Sequence, residues 1–169
     1  QWYAEYFRAL RNFDEAMNEV KRAQELDPLS PHFDTFVGVA HFNLGNLDAA
    51  FKQWWRVIEI APNFLMTHFF LTGAYVKLGR AEEAIAEAQI AVKLSVRGSL
   101  FLGSLGYAYG MAEKRIEALA VIDELKEKYG AGEAHGFNFA QVFTGLRDNN
   151  QAIVWLERDF EDGNTVMLT

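Results

Sequence analysis

A fixed internal period constrains this chain more than any other feature. Alanine recurs every 34 residues, at Ala16, Ala50, Ala84, Ala118 and Ala152. Upstream of each stands a bulky apolar residue, in the column Tyr3, Val37, Leu71, Leu105 and Phe139, and next to it a small one, in the column Ala4, Gly38, Thr72, Gly106 and Ala140. A mostly aromatic column follows at Phe7, His41, Tyr75, Tyr109 and Phe143, and an apolar one at Val20, Trp54, Ala88, Ile122 and Leu156. Columns that hold register over the whole chain mean one supersecondary unit stacked on itself, because so short a unit cannot bury its apolar face alone.

Each unit splits into two stretches of helical period joined by a short turn. The clearest case runs from Asp34 to Leu44 and from Leu47 to Ile60 about the pivot Gly45-Asn46. Ser30 before Pro31 reads as an N-cap with proline at the first helical position, and Asn46 as the cap of the second helix. Asn12 with Glu15 is placed to close a capping box, and Asn63 after Pro62 stands ahead of an apolar run. Gly45 and Gly79 sit where a helix must reverse, and Gly98-Ser99 separates two units. The small columns permit close helix approach, so a larger side chain at Gly38 or Ala50 should cost about 1–3 kcal/mol in overpacking.

The succession of bulky apolar residue, small residue, aromatic, glycine turn, alanine, aromatic and closing proline resembles the tetratricopeptide repeat. The second unit carries it best, through Val37, Gly38, Gly45, Ala50, Trp54 and Pro62. The fourth keeps Leu105, Gly106, Tyr109 and Ala118 with Gly130 in place of proline, and the fifth has Asp159 where a small apolar residue is expected, which should weaken the last junction. The resemblance implies an all-α, right-handed superhelix of about five hairpins, an αα-solenoid, in a single array over residues 1–169. Its repeats fall at about 1–30, 31–64, 65–98, 99–132 and 133–169. The second half is also similar to the C-terminal repeat arrays of bacterial signalling proteins, in which such arrays follow winged-helix, protein kinase or nucleotide cyclase domains. That likeness implies a module of a larger regulator. The start at Gln1 rather than Met fits a processed product or a piece of something longer.

In such a stack the first helix of each unit lines the concave face. The residues left over from the packing columns there include Phe36, Val39, Phe42, Asn43, Met66, Phe69, Phe70, Lys77, Gly103, Ser104, Tyr107 and Asn138, with Phe137 and Gln141 beside them. An apolar, aromatic surface of this kind marks an interaction site. The best-known peptide-binding form of this family holds a carboxylate with a clamp of lysine, asparagine and arginine. The places for it here are Gln1, Glu5, Phe36, Met66 and Phe70, so the clamp is absent and the groove should take an apolar peptide or helix. Two alternatives stay open at this point. Gly106 is explained by packing, whereas Gly103 and Gly110 are either a dip in the groove floor or glycines that the helix tolerates at a cost of about 1 kcal/mol each, and Phe36, Phe69 and Phe70 are either open or buried against neighbouring repeats.

Chemistry for an enzyme is not found. The histidines His32, His41, His68 and His135 are spread over three repeats with no metal-ligand spacing, and the run from Gly130 to Gly136 follows a helix rather than a strand, so no nucleotide cradle is expected. With no cysteine there is no thiolate chemistry, and a net charge of −7 argues against a nucleic-acid surface. No catalytic residue, metal or cofactor is expected, nor a membrane span, and a cytoplasmic setting is favoured. Both ends of the stack look bare, through Trp2, Tyr3, Tyr6 and Phe7 at one and Trp155, Phe160, Val166, Met167 and Leu168 at the other. The expectation is therefore a noncatalytic protein-binding scaffold. Self-association through those ends, or a structural subunit held in a multiprotein complex by its ends and convex face, is the alternative.

Overall fold

The computed structural model of the protein describes residues 30–162 together with Arg22. Among the described residues it is all α, with helices α1 (Pro31–Asn43), α2 (Leu47–Ile60), α3 (Leu65–Lys77), α4 (Ala81–Leu94), α5 (Ser99–Met111), α6 (Arg115–Gly130), α7 (Gly136–Gly145) and α8 (Asn149–Glu161). They pair as hairpins that coincide with the four repeats after the first. Two compact units divide between Thr67 and His68.

The turns inside the hairpins repeat atom for atom. The amide of Asn46 donates to the carbonyl of His41, Arg80 to Tyr75, Lys114 to Tyr109 and Asp148 to Phe143, each at 2.9 Å. This is the six-to-one bond of a Schellman ending, in which one residue must turn left-handed. That residue is Gly45 (φ 80°) and Gly79 (φ 70°) in two hairpins, but Glu113 (φ 59°) and Arg147 (φ 60°) in the other two. The aromatic column therefore supplies both a packing side chain and the carbonyl that closes the turn. Ser30 and Asn46 stand at their N-cap positions without a side-chain capping bond, their carbonyls accepting from Asp34 and Ala50 instead.

In the first unit α1 packs on α2 through Gly38 and Trp54. A Cβ on Gly38 would lie 2.6 and 2.8 Å from two indole carbons, so only glycine lets the ring in. The indole is 1% exposed, and its Nε1 donates to the Thr35 carbonyl at 3.0 Å. On α2, Ala50, Trp54 and Val57 are buried while Lys52, Arg56 and Glu59 face outward, the spacing of a one-sided helix. Arg56 Nε approaches the buried Asp34 carboxylate at 3.8 Å. Thr35 Oγ1 donates to the Pro31 carbonyl and so accepts from Thr67 Oγ1 at 2.6 Å.

The second unit is built on a close approach of α5 to α7. A Cβ on Gly106 would lie 2.5 Å from Val142, one on Gly110 2.6 Å from the Leu146 amide, and one on Gly145 2.5 Å from the Tyr107 carbonyl. The last hairpin departs from its predecessors at α7, which starts three residues late in the repeat. Its orphan amides, on Gly136 and Phe137, donate to the two oxygens of Asp159 at 2.5 and 2.6 Å. Asp159 is buried, and Gly136 is small enough to let it in. The carboxylate that departs from the repeat pattern thus ties the last hairpin together rather than weakening it.

Candidate functional site

The first helices carry most of the residues expected to meet a partner, and each unit is taken by itself. On α1, Phe36 and Phe42 are half-buried, with the Phe36 ring 4.7 Å from His32 and the Phe42 ring 5.8 Å from Trp54. Asn43 is exposed, Val39 is buried, and Met66 is half-buried in the first turn of α3. In the second unit Phe69 packs edge-on against Phe70 at 5.5 Å and Phe101 at 5.6 Å, and all three rings keep part of their surface open. Lys77 is exposed at the end of α3.

Tyr107 is half-buried and lines a cleft of about 280 Å³ with Phe137, Ala140, Gln141, Thr144 and Leu156. Gly103, Ser104 and Asn138 are buried. A Cβ on Gly103 would run into the Gln141 amide and lie 2.9 Å from the Asn138 carbonyl, so the glycine admits α7. Asn138 Oδ1 accepts from the His135 amide at 2.9 Å, a capping contact at the start of α7. Gly103 and Gly110 are thus neither a dip in a groove floor nor merely tolerated in the helix, since a Cβ at either would run into α7 or the turn after it. The clamp positions Gln1 and Glu5 lie outside the described residues, as do Trp2, Tyr3, Tyr6, Phe7, Val166, Met167 and Leu168.

Several polar contacts had no signature in the sequence. His68 Nδ1 lies 2.6 Å from Glu87 Oε2, a buried pair between α3 and α4. On the other side of the second unit Arg97 holds Glu124 through both guanidinium nitrogens, the Nε bond at 2.6 Å. This bond keeps the Glu124 carboxyl below its ordinary range and raises Arg97. Tyr129, Phe139 and Trp155 form a three-ring cluster in which Phe139 and Trp155 stack at 3.9 Å, with the Arg158 guanidinium 4.6 Å over the indole. Trp155, expected bare, is therefore half-covered, whereas Phe160 is 66% exposed and Ile153 and Leu156 are 53% and 44% exposed on α8. Among the described residues no group of three or more histidines or carboxylates is placed to hold a metal ion, and no helix is long and apolar enough to cross a membrane.

Helical hairpins with a Schellman turn, packed first helix to first helix through small residues, define an αα-solenoid repeat protein. Residues 4–63 match the tetratricopeptide repeat family. The chain is 23% identical over 155 residues to anaphase-promoting complex subunit 3 of Schizosaccharomyces pombe, covering 92% of this chain and 23% of that protein's length. Its fold is similar to that of a thermophilic repeat protein of this type from Thermus thermophilus, with a TM-score of 0.74 and 20% identity over 95% of this chain and 88% of the other. It is also similar to MamA, with a TM-score of 0.60 and 16% identity over 93% and 92% of the two chains. Over residues 4–63 the chain is thus similar to the tetratricopeptide repeat family, and the described residues share the fold of solved repeat proteins of that type.

Proposed function

We propose that the protein is a noncatalytic scaffold, a single array over residues 1–169, that captures the apolar segment of a partner polypeptide on its first helices. The observation that supports this reading is the run of half-buried rings there. Phe36 and Phe42 lie in the first unit, and Phe69, Phe70, Tyr107 and Phe137 in the second. Polar side chains stand beside them at Asn43, Lys77 and Gln141. Phe69 and Phe70, already packed edge-on, lose little further freedom when a ligand covers them, which favours binding. Full cover of three or four such rings is worth about 5–10 kcal/mol before association costs, consistent with roughly micromolar affinity.

A second reading rests on α8, whose Ile153, Leu156 and Phe160 recur at helical spacing and remain exposed. On that reading the protein is a subunit seated in a larger assembly through its last hairpin, and the likeness to a protein named as a complex subunit is in keeping with it. The two readings separate in one experiment. Partners captured by the wild-type chain are compared with those captured by Phe69→Ala/Phe70→Ala and by Ile153→Ser/Phe160→Ser, each checked for unchanged helicity. Loss confined to the first variant supports capture on the first helices. Loss confined to the second supports the subunit reading and overturns the first.

A further inference from the structure

The face made by the second helices of the second unit carries a groove that the proposed function does not use. It lies between α4 and α6 over α5, has a volume of about 640 Å³, and is floored by Val92, Leu105 and Val121. Its α4 wall ends in Lys93, Val96 and Arg97, and its α6 wall carries Glu117, Ala120 and Glu124. Moving one repeat along the chain gives the equivalent place between α6 and α8. There Leu105 becomes Phe139 and Val121 becomes Trp155, while Ser95, next in the chain to the lining residue Val96, becomes Tyr129. Those are the three clustered rings, Phe139 and Trp155 stacked and Tyr129 edge-on to both, with Arg158 lying over the indole at the position equivalent to Glu124. The same backbone frame is thus filled by the protein's own aromatics in one repeat and left open by smaller side chains in the one before.

We infer that the open groove receives an aromatic side chain, an indole or a phenol, presented by a partner polypeptide. Shape is one argument, since 34 residues on the equivalent frame holds the rings of Phe139, Trp155 and Tyr129 in place of smaller side chains. Chemistry is the second. Gln89 Nε2 donates to Tyr109 Oη at 3.1 Å, which leaves the Gln89 carbonyl to accept the N–H or O–H of an incoming ring at the groove wall. The Arg97 guanidinium is held at the mouth by Glu124 and provides the cation that Arg158 supplies to Trp155. Charge is the third. Lys93 lines the α4 wall and Glu117 the α6 wall, so the groove presents a cation on one side and a carboxylate on the other. The ring is therefore best carried by a segment with an acidic residue toward α4 and a basic one toward α6. Val96, 86% exposed and held left-handed at φ 53°, adds an apolar lip beside the opening.

The test uses the full chain with methyl-labelled leucine and valine, read by NMR at Leu105, Val121 and Val96. The probes are the blocked tripeptide aspartyl-tryptophyl-lysine, its leucine counterpart, and free indole. Saturable shifts at these methyls are expected with the tryptophan peptide, about five- to tenfold tighter than with the leucine peptide. They are also expected to be tighter than with free indole. Two variants that fill the groove, Val121→Trp, which copies the next repeat, and the surface change Ala120→Phe, should each weaken binding at least about tenfold. Should Val121→Trp fail to fold, Ala120→Phe carries the test. The inference is overturned if no saturable shift occurs, if leucine serves as well as tryptophan, or if Ala120→Phe binds undiminished. Free indole binding as tightly as the peptide would overturn the polypeptide source.

Discussion

Replacing Gly38 by alanine sets two calculable effects against each other. An alanine in the middle of α1 improves helix propensity by about 1 kcal/mol. Its methyl group, however, would lie 2.6 Å and 2.8 Å from carbons of the Trp54 indole, well inside the roughly 3.5–4.0 Å optimum for carbon contacts. The ring has no easy retreat, because its Nε1 is bonded to the Thr35 carbonyl and its edges meet Phe42 and Phe51. Overpacking of about 1–3 kcal/mol therefore wins, for a net loss of about 0.5–2 kcal/mol. In a Trp54→Leu background the clash is gone. The same alanine should then stabilise by about 1 kcal/mol, partly filling the space the indole left. A double-mutant cycle by urea denaturation, followed by circular dichroism, should return a coupling of about 1.5–3 kcal/mol. If Gly38→Ala has the same effect in both backgrounds, the close fit of Trp54 against α1 is not what requires the glycine.

Three further expectations follow from the same geometry. Glu113→Gly and Arg147→Gly should each stabilise the protein by about 0.5–1 kcal/mol in urea, since both positions are left-handed, while Gly79→Ala should cost about 1 kcal/mol. Asp159→Asn should cost about 1–3 kcal/mol and speed amide exchange at Gly136 and Phe137, because one of two buried N–H donors loses its acceptor. The Glu124 carboxyl is depressed by its bond to Arg97, so the pair adds stability above the ordinary carboxylate range that is lost as pH falls through the lower folded value. As the pair is partly exposed, Glu124→Gln should cost only about 0.2–1 kcal/mol at neutral pH. It should also flatten the decline of melting temperature below about pH 4.5.

The repeat and its hairpins were legible because period, helix stripe and glycine turn all point to one answer. What the sequence could not convey was contact between residues that no local pattern links. Glu113 and Arg147 give no hint of a left-handed turn, yet each occupies the place of Gly45 and Gly79 because the six-to-one bond to the aromatic column imposes that shape. Asp159 looked like a flaw in the repeat, since its value lies in reaching the amides of a helix that begins late. Gly103 and Gly110 suggest a groove-floor dip or tolerated helix glycines, because the close approach of α7 that requires them joins residues far apart in the chain. On the candidate site, the half-buried rings were legible from their positions on the first helices. The cleft at Tyr107 depends on Leu156, which belongs to a second helix and to a packing column.

Because backbone bonds close each described hairpin turn in the same way, the geometry of a hairpin does not depend on which side chains fill the spaces between helices. The turn after α1 closes with glycine and the turn after α7 with arginine, at the same bond length. Side chains between neighbouring second helices are consequently free to differ, and they do so by the largest steps available, from Ser95 to Tyr129 and from Val121 to Trp155. A repeat that keeps its turn and small-residue columns can therefore change what it binds without changing how it folds. Substitutions in those columns should alter stability first and binding only through it, whereas substitutions at the filling positions should alter binding with little change in unfolding.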